Sequence, residues 1–172
     1  MVFKRLFPIL TILALLSLPS CFKDNDNSSD YSAWRQLNQN YIDSIDVAME
    51  NGEYAFTRFT PLWDNSFSIW LRWHNEEENP SFVTPLSTST CHVKYTLTSV
   101  AGDTLDSSAA FTCVPNQLVT GFMAALQNMR VNDTVTAVIP YTAGYGTYGY
   151  GNILPYTTLI FGIRLDSISN LF

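Results

Sequence analysis

Apolar positions along this chain switch between helical and strand spacing, and each switch marks the edge of an element. From Asp30 to about Met49, the residues Trp34, Leu37, Tyr41, Ile45 and Ala48 recur at intervals of three and four, as one face of a helix does. Asp30 stands where an N-cap belongs and Gly52 where a helix stops, so residues 31–52 are predicted to form one amphipathic helix. Tyr54 to Phe59 and Ser66 to His74 read as strands, with Thr60 to Asn65 turning between them and Glu76 to Pro80 forming a solvated turn afterwards. Alternation from Thr90 to Ser99 puts Cys91, Val93, Tyr95 and Leu97 on one face, and Gly102 marks a hairpin returning along Thr104 to Cys113. Helical spacing comes back between Asn116 and Met129. It predicts a helix from about Val119 that turns Phe122, Ala125, Leu126 and Met129 inward. Thr134 to Pro140 and Thr158 to Ser167 are the closing strands, on either side of a loop rich in Gly and Tyr. The whole is an α+β fold: an antiparallel sheet wrapped around one short helix, preceded by an amphipathic helix.

The first twenty residues follow a different rule. Lys4 and Arg5 precede an apolar run from Leu6 to Leu18, which ends in Leu18-Pro19-Ser20-Cys21. Positive head, short apolar middle and small-residue exit make a secretory signal. The run is too short to span a bilayer core of roughly 30 Å, which takes about 20 helical residues. Its ending resembles the bacterial lipobox, which implies removal of residues 1–20 and a lipid thioether on Cys21. The alternative is an ordinary signal peptide with an incidental Cys. Residues 21–30 are polar and read as the lipidated Cys with a flexible tether. Lys23 followed by acidic residues resembles the surface-export signal of Bacteroidetes-like lipoproteins. The expected location is the cell envelope, lipid-anchored to a bacterial membrane, whether on the outer side of the inner membrane or on the periplasmic or surface side of the outer membrane.

Roughly 150 residues remain, enough for one domain spanning 53–172 together with its leading helix. Losing Lys4 and Arg5 leaves seven basic against fifteen acidic residues, so the net charge moves from −6 to −8. That balance argues against nucleic acid, whose phosphates are bound by Lys and Arg. His74 and His92 are the only two histidines and stand far apart, so no metal site is expected. The Gly-rich loop from Tyr141 to Gly151 lacks the following Lys and helix start of a phosphate cradle. Its tyrosines read either as an adaptable rim around a peptide groove or as a mobile hairpin packed on the barrel mouth.

Five segments, taken in order, resemble motifs of the FKBP-type peptidyl-prolyl cis-trans isomerases: Val93-Lys-Tyr95-Thr, Gly102-Asp-Thr-Leu105-Asp106-Ser-Ser, Asn116-Gln-Leu-Val119-Thr-Gly121-Phe122, Ala143-Gly-Tyr145-Gly146 and Ile153-Leu154-Pro155-x-x-Thr158-Leu159-Ile160-Phe161. They cover residues 89–168. The resemblance implies a catalytic cup of Tyr95, Phe122 and Phe161, with Asp106 as the carboxylate at its edge and Tyr145 as hydroxyl donor. Leu105, Leu118, Val119, Tyr150, Ile153 and Leu154 would contact substrate, and the Val119 N–H would be a second donor. The implied partners are proline-containing segments of exported proteins, and the implied cofactor is none.

Departures from the pattern imply weak or sequence-selective catalysis. Phe122 replaces the usual Trp floor, Leu105 an aromatic, and Tyr150 a frequent His. The segment after Asp106-Ser-Ser is cut to Ala109-Ala110, removing aromatic and basic residues from that wall. Two functions therefore compete: a lipid-anchored prolyl isomerase assisting the folding of exported proteins, and a catalytically degenerate peptide-binding or chaperone module. Carbohydrate binding through Trp63, Trp70 and Trp73 is a third. A hairpin centred on Gly102 sets Cys91 opposite Cys113, which in an oxidising compartment predicts a cross-strand disulfide, the alternative being two buried free thiols.

Overall fold

The computed structural model describes residues 30–53, 55–74 and 79–169. The signal segment, Cys21, most of the tether and the acidic turn at 76–78 lie outside the described residues. Helix α1 spans Ser32–Glu50. Tyr31 rather than Asp30 takes the N-cap position, but the Asp30 carboxylate accepts the Ser32 N–H at 2.9 Å and so still serves the first turn. At the other end Gly52 adopts φ +72°, with its N–H on the Met49 carbonyl and the Glu53 N–H on that of Ala48. This is a Schellman stop, and it needs the left-handed residue that Gly supplies.

Six antiparallel strands follow, β1 (Thr57–Phe59), β2 (Ile69–Trp73), β3 (Thr90–Thr98), β4 (Thr104–Cys113), β5 (Thr134–Ile139) and β6 (Leu159–Ser169), in the sheet order β1-β2-β5-β6-β3-β4. Helix α2 (Thr120–Gln127) crosses one face, burying Phe122, Ala125 and Leu126 as the spacing predicted, and Met129 is buried just past its end. Helix α1 covers the other face, where Ile42 and Ile45 meet Trp70 and Val138. Covering both faces explains why Ile69-Trp70-Leu71 and Ala137-Val138-Ile139 are buried without alternation. Trp70 is 4% exposed and its Nε1–H donates to Asp46 Oδ1 at 2.6 Å. The exposed tryptophan trio that sugar binding needs is therefore not formed. β2 starts later than predicted because the Asp64 carboxylate accepts the Ser66 N–H at 3.0 Å and holds that stretch in a turn.

The β3–β4 hairpin does set Cys91 opposite Cys113, although by a different route from the one expected. The turn closes with the Ser99 N–H on the Asp103 carbonyl at 2.9 Å, one residue short of a Gly102 centre. Two register shifts along the hairpin then bring the cysteines into line. In place of the expected bridge the structure holds two buried free thiols. Burial, with Cys113 nearby, pushes the Cys91 thiol up to about 12, and burial pushes Cys113 up to about 11. Both therefore lack the thiolate that disulfide exchange requires.

Candidate functional site

Between the start of α2 and strands β3, β4 and β6, the core does not close completely. A cavity of about 90 Å³ remains, lined by Tyr95, Leu97, Asp106, Phe111, Leu118, Val119, Phe122, Tyr145 and Phe161. That is several times the roughly 10–15 Å³ that one water occupies, so a small ring can enter. Strand pleating brings the wall residues together: Tyr95 and Leu97 share one face of β3, and Phe161 of β6 stands directly across from Leu97. Phe122 enters from the first turn of α2. The helix lies this close to β5 because residue 121 is Gly, where a Cβ would overlap the Ile139 side chain and press on Ala143.

The aromatic rings cross almost at right angles. Phe122 meets Phe161 at 4.7 Å and 82°, and Tyr95 meets Phe111 at 5.4 Å and 76°. Edge-to-face contacts of this kind hold rings apart instead of letting them stack shut. At the lip, the Tyr95 hydroxyl donates to Asp106 Oδ2 at 2.7 Å. Burial first, and then the hydrogen bond and charge of Asp106, push Tyr95 up to about 12, so it stays protonated at neutral pH. Burial also raises Tyr145, whose ring stacks on Tyr150 at 5.3 Å and 14°. Among the described residues the Tyr145 hydroxyl has no hydrogen-bond partner.

All five residues expected to be catalytic, Asp106, Tyr145, Phe122, Tyr95 and Phe161, meet at this cavity, as do Leu118 and Val119. The other expected contacts do not line it. Leu105 packs on the neighbouring core, Ile153 is buried in that core, and Tyr150 and Leu154 are 70% and 46% exposed. Two wall residues were missed, Leu97 and Phe111. The shortened segment at Ala109-Ala110 was expected to strip the wall of its aromatic. Instead, strand alternation turns Phe111 to the face of buried Cys113, and Phe111 fills that place. The loop tyrosines divide: Tyr145 lines the cup, Tyr150 stacks on it, Tyr148 is 92% exposed, and Tyr141 meets Tyr156. His74 and His92 hydrogen-bond strand hydroxyls, Thr136 for the first, Thr112 and Ser169 for the second.

The model of the family described as FKBP-type peptidyl-prolyl cis-trans isomerase matches residues 83–166, the stretch that builds this cup. This domain belongs to the FKBP family. A curated relative, the macrophage infectivity potentiator of Trypanosoma cruzi, is 38% identical over 85 residues, 46% of this chain. The chain spans less than half of that protein, 43% of its length. Two solved structures share the FKBP fold seen here. One is a peptidyl-prolyl cis-trans isomerase of Pseudomonas syringae, with a TM-score of 0.64 and 23% identity over 84% of this chain and 100% of that one. The other is FkpA of Escherichia coli, with a TM-score of 0.59 and 19% identity over 80% and 64% of the two chains.

Proposed function

We propose that the protein is a lipid-anchored peptidyl-prolyl cis-trans isomerase acting on proline-containing segments of exported proteins. The observation that carries the reading is the cup itself: an unfilled apolar cavity walled by crossed aromatic rings, with one carboxylate and two phenols at its lip. Rotation about an X-Pro bond faces a barrier of about 20 kcal/mol because amide resonance is lost on the way, and no covalent step is needed to lower it. A proline ring seated between Phe122 and Phe161 leaves water behind. The planar amide loses its hydration there, and the twisted, less polar amide is favoured relative to it. Tyr145 supplies a donor for a flanking carbonyl. The uncapped start of α2, with Val119 at its N-cap position, supplies backbone N–H groups for another. Asp106 holds the Tyr95 phenol in place, so the wall keeps its shape while the substrate turns.

Phe111 favours this reading over the degenerate peptide-binding module, because it restores the aromatic wall that the shortened segment had been expected to remove. Leu105 lies outside the cavity lining, so its lack of a ring leaves the cup unchanged. A protease-coupled isomerisation assay over several residues before proline tests the proposal. The wild type is expected to exceed the solvent rate, and Asp106→Ala to lower kcat/KM about ten-fold. A wild-type rate equal to that of solvent in every sequence context would sink the enzyme reading. Anchoring rests on Lys4, Arg5, the run from Leu6 to Leu18 and Cys21. Labelled fatty acid fed to expressing cells is expected to mark the wild type and not Cys21→Ser, and equal label in both overturns the anchor.

A further inference from the structure

Helix α1 touches the domain in two different ways. Its C-terminal half is held by the apolar contact of Ile42 and Ile45 and by one hydrogen bond from Trp70 to Asp46, whereas its first two turns meet the tyrosine loop through polar and ring contacts. Asn38 is 1% exposed, its Oδ1 accepts the Thr158 N–H at 2.6 Å, and its Nδ2 donates to the Trp34 carbonyl at 2.8 Å. The Trp34 Nε1–H donates to Thr157 Oγ1 at 3.1 Å, and that hydroxyl donates onward to the Leu154 carbonyl at 2.7 Å. The Arg35 guanidinium lies 5.1 Å from the centre of the Tyr156 ring and 5.9 Å from that of Tyr141.

These contacts fall on the two ends of one loop. Tyr141 opens it and Tyr156 to Thr158 close it, and the two tyrosine rings meet edge to face at 5.3 Å. Tyr156 sits at φ +60°, a conformation that bulky residues adopt only where their surroundings impose it. Its N–H donates to the Gly146 carbonyl at 3.0 Å, and the Gly146 N–H donates to the Tyr141 carbonyl at 2.9 Å. Gly146 adjoins Tyr145 on the cavity wall, so continuous contact runs from α1 to the phenol at the lip. A buried amide contributes little more net stability than an apolar residue of its size, but it demands partners in fixed positions. Asn38 therefore specifies where the loop sits.

We propose that Trp34, Arg35 and Asn38 are positioning residues, through which α1 sets the pose of the loop carrying Tyr145 and Tyr150 and so governs substrate capture by the cup. The kinetic consequence rests on the isomerase reading; the structural one stands without it. The test compares Arg35→Ala and Asn38→Leu with wild type in the full chain, by amide hydrogen exchange and by isomerisation kinetics. Amides of residues 142–155 are expected to exchange about ten-fold faster, with β3 and β5 unchanged. KM is expected to rise about five-fold with kcat within a factor of about two, and Arg35→Lys to recover part of the loss. Loop exchange that matches wild type in both variants overturns the brace. So does exchange that rises equally across the whole domain, which marks a general loss of stability. A wild type with no isomerase activity overturns the function proposed above, and loop exchange then decides the brace alone.

Discussion

The sheet is covered by two helices of opposite design. Helix α2 has eight residues, is apolar, and presses Phe122, Ala125 and Leu126 into one face of the sheet. Helix α1 has nineteen residues, is amphipathic, and combines an apolar stripe with the hydrogen bonds of Trp34, Asn38 and Asp46. The apolar contact leaves a void at the helix start, where crossed rings keep Phe122 and Phe161 from collapsing together. The mixed contact instead fixes partners one by one, Trp34 on Thr157, Asn38 on Thr158 and Asp46 on Trp70. Packing that is only apolar buries area without dictating position, so it can tolerate a cup. Hydrogen-bonded packing dictates position, which suits the side from which the loop is held.

Substitutions can break this contrast. Phe122→Ala removes the ring that separates cup from core and is expected to destabilise by about 3–5 kcal/mol in urea titration, with isomerisation lost as well. Ile45→Ala on the outer face is expected to destabilise by about 2–4 kcal/mol while leaving kcat/KM of the folded fraction unchanged. Comparable losses of activity in the two variants would dissolve the distinction between the faces. A pH series sharpens it, because Cys91, Cys113 and Tyr95 all belong to the cup side of the sheet. Their folded values of about 12, 11 and 12 lie above the ordinary 9.0, 9.0 and 10.0, so the folded state keeps protons that the unfolded chain has released. Stability should therefore be complete below pH 9 and fall as pH rises from 9 to 12, read as a declining Tm. Constant Tm across that window contradicts the burial assigned to these groups. The smallest effect belongs to Tyr148→Ala, within about 0.5 kcal/mol in stability, because that side chain touches little of the fold.

How much of this was legible beforehand follows from where each signal lives. The period of Trp34, Leu37, Tyr41, Ile45 and Ala48 announced α1, since helical spacing is local, although Leu37 is exposed and Ile42 is buried in its stead. Its grip on the loop left no trace, because Asn38 and Thr158 are 120 positions apart and nothing near either one names the other. Asp106, Tyr145, Phe122, Tyr95 and Phe161 were legible as a set through ordered motifs, and the fold brings them to one cavity. Phe111 was hidden by attention to the missing segment before it; counting alternation back from Cys113 would have placed it on the inward face. The cysteine pairing came out in the right register although the turn was misplaced, because the hairpin's register shifts cannot be read from a Gly position.

The most direct test of the central claim is exchange spectroscopy on a short X-Pro peptide, recorded by NMR with a small amount of wild type, Ile45→Ala or Phe122→Ala at a temperature where each is folded. Cross-peaks between the cis and trans forms should appear with wild type and Ile45→Ala and vanish with Phe122→Ala. Cross-peaks that persist undiminished with Phe122→Ala, or that never appear with wild type, would contradict the assignment of isomerisation to this cup.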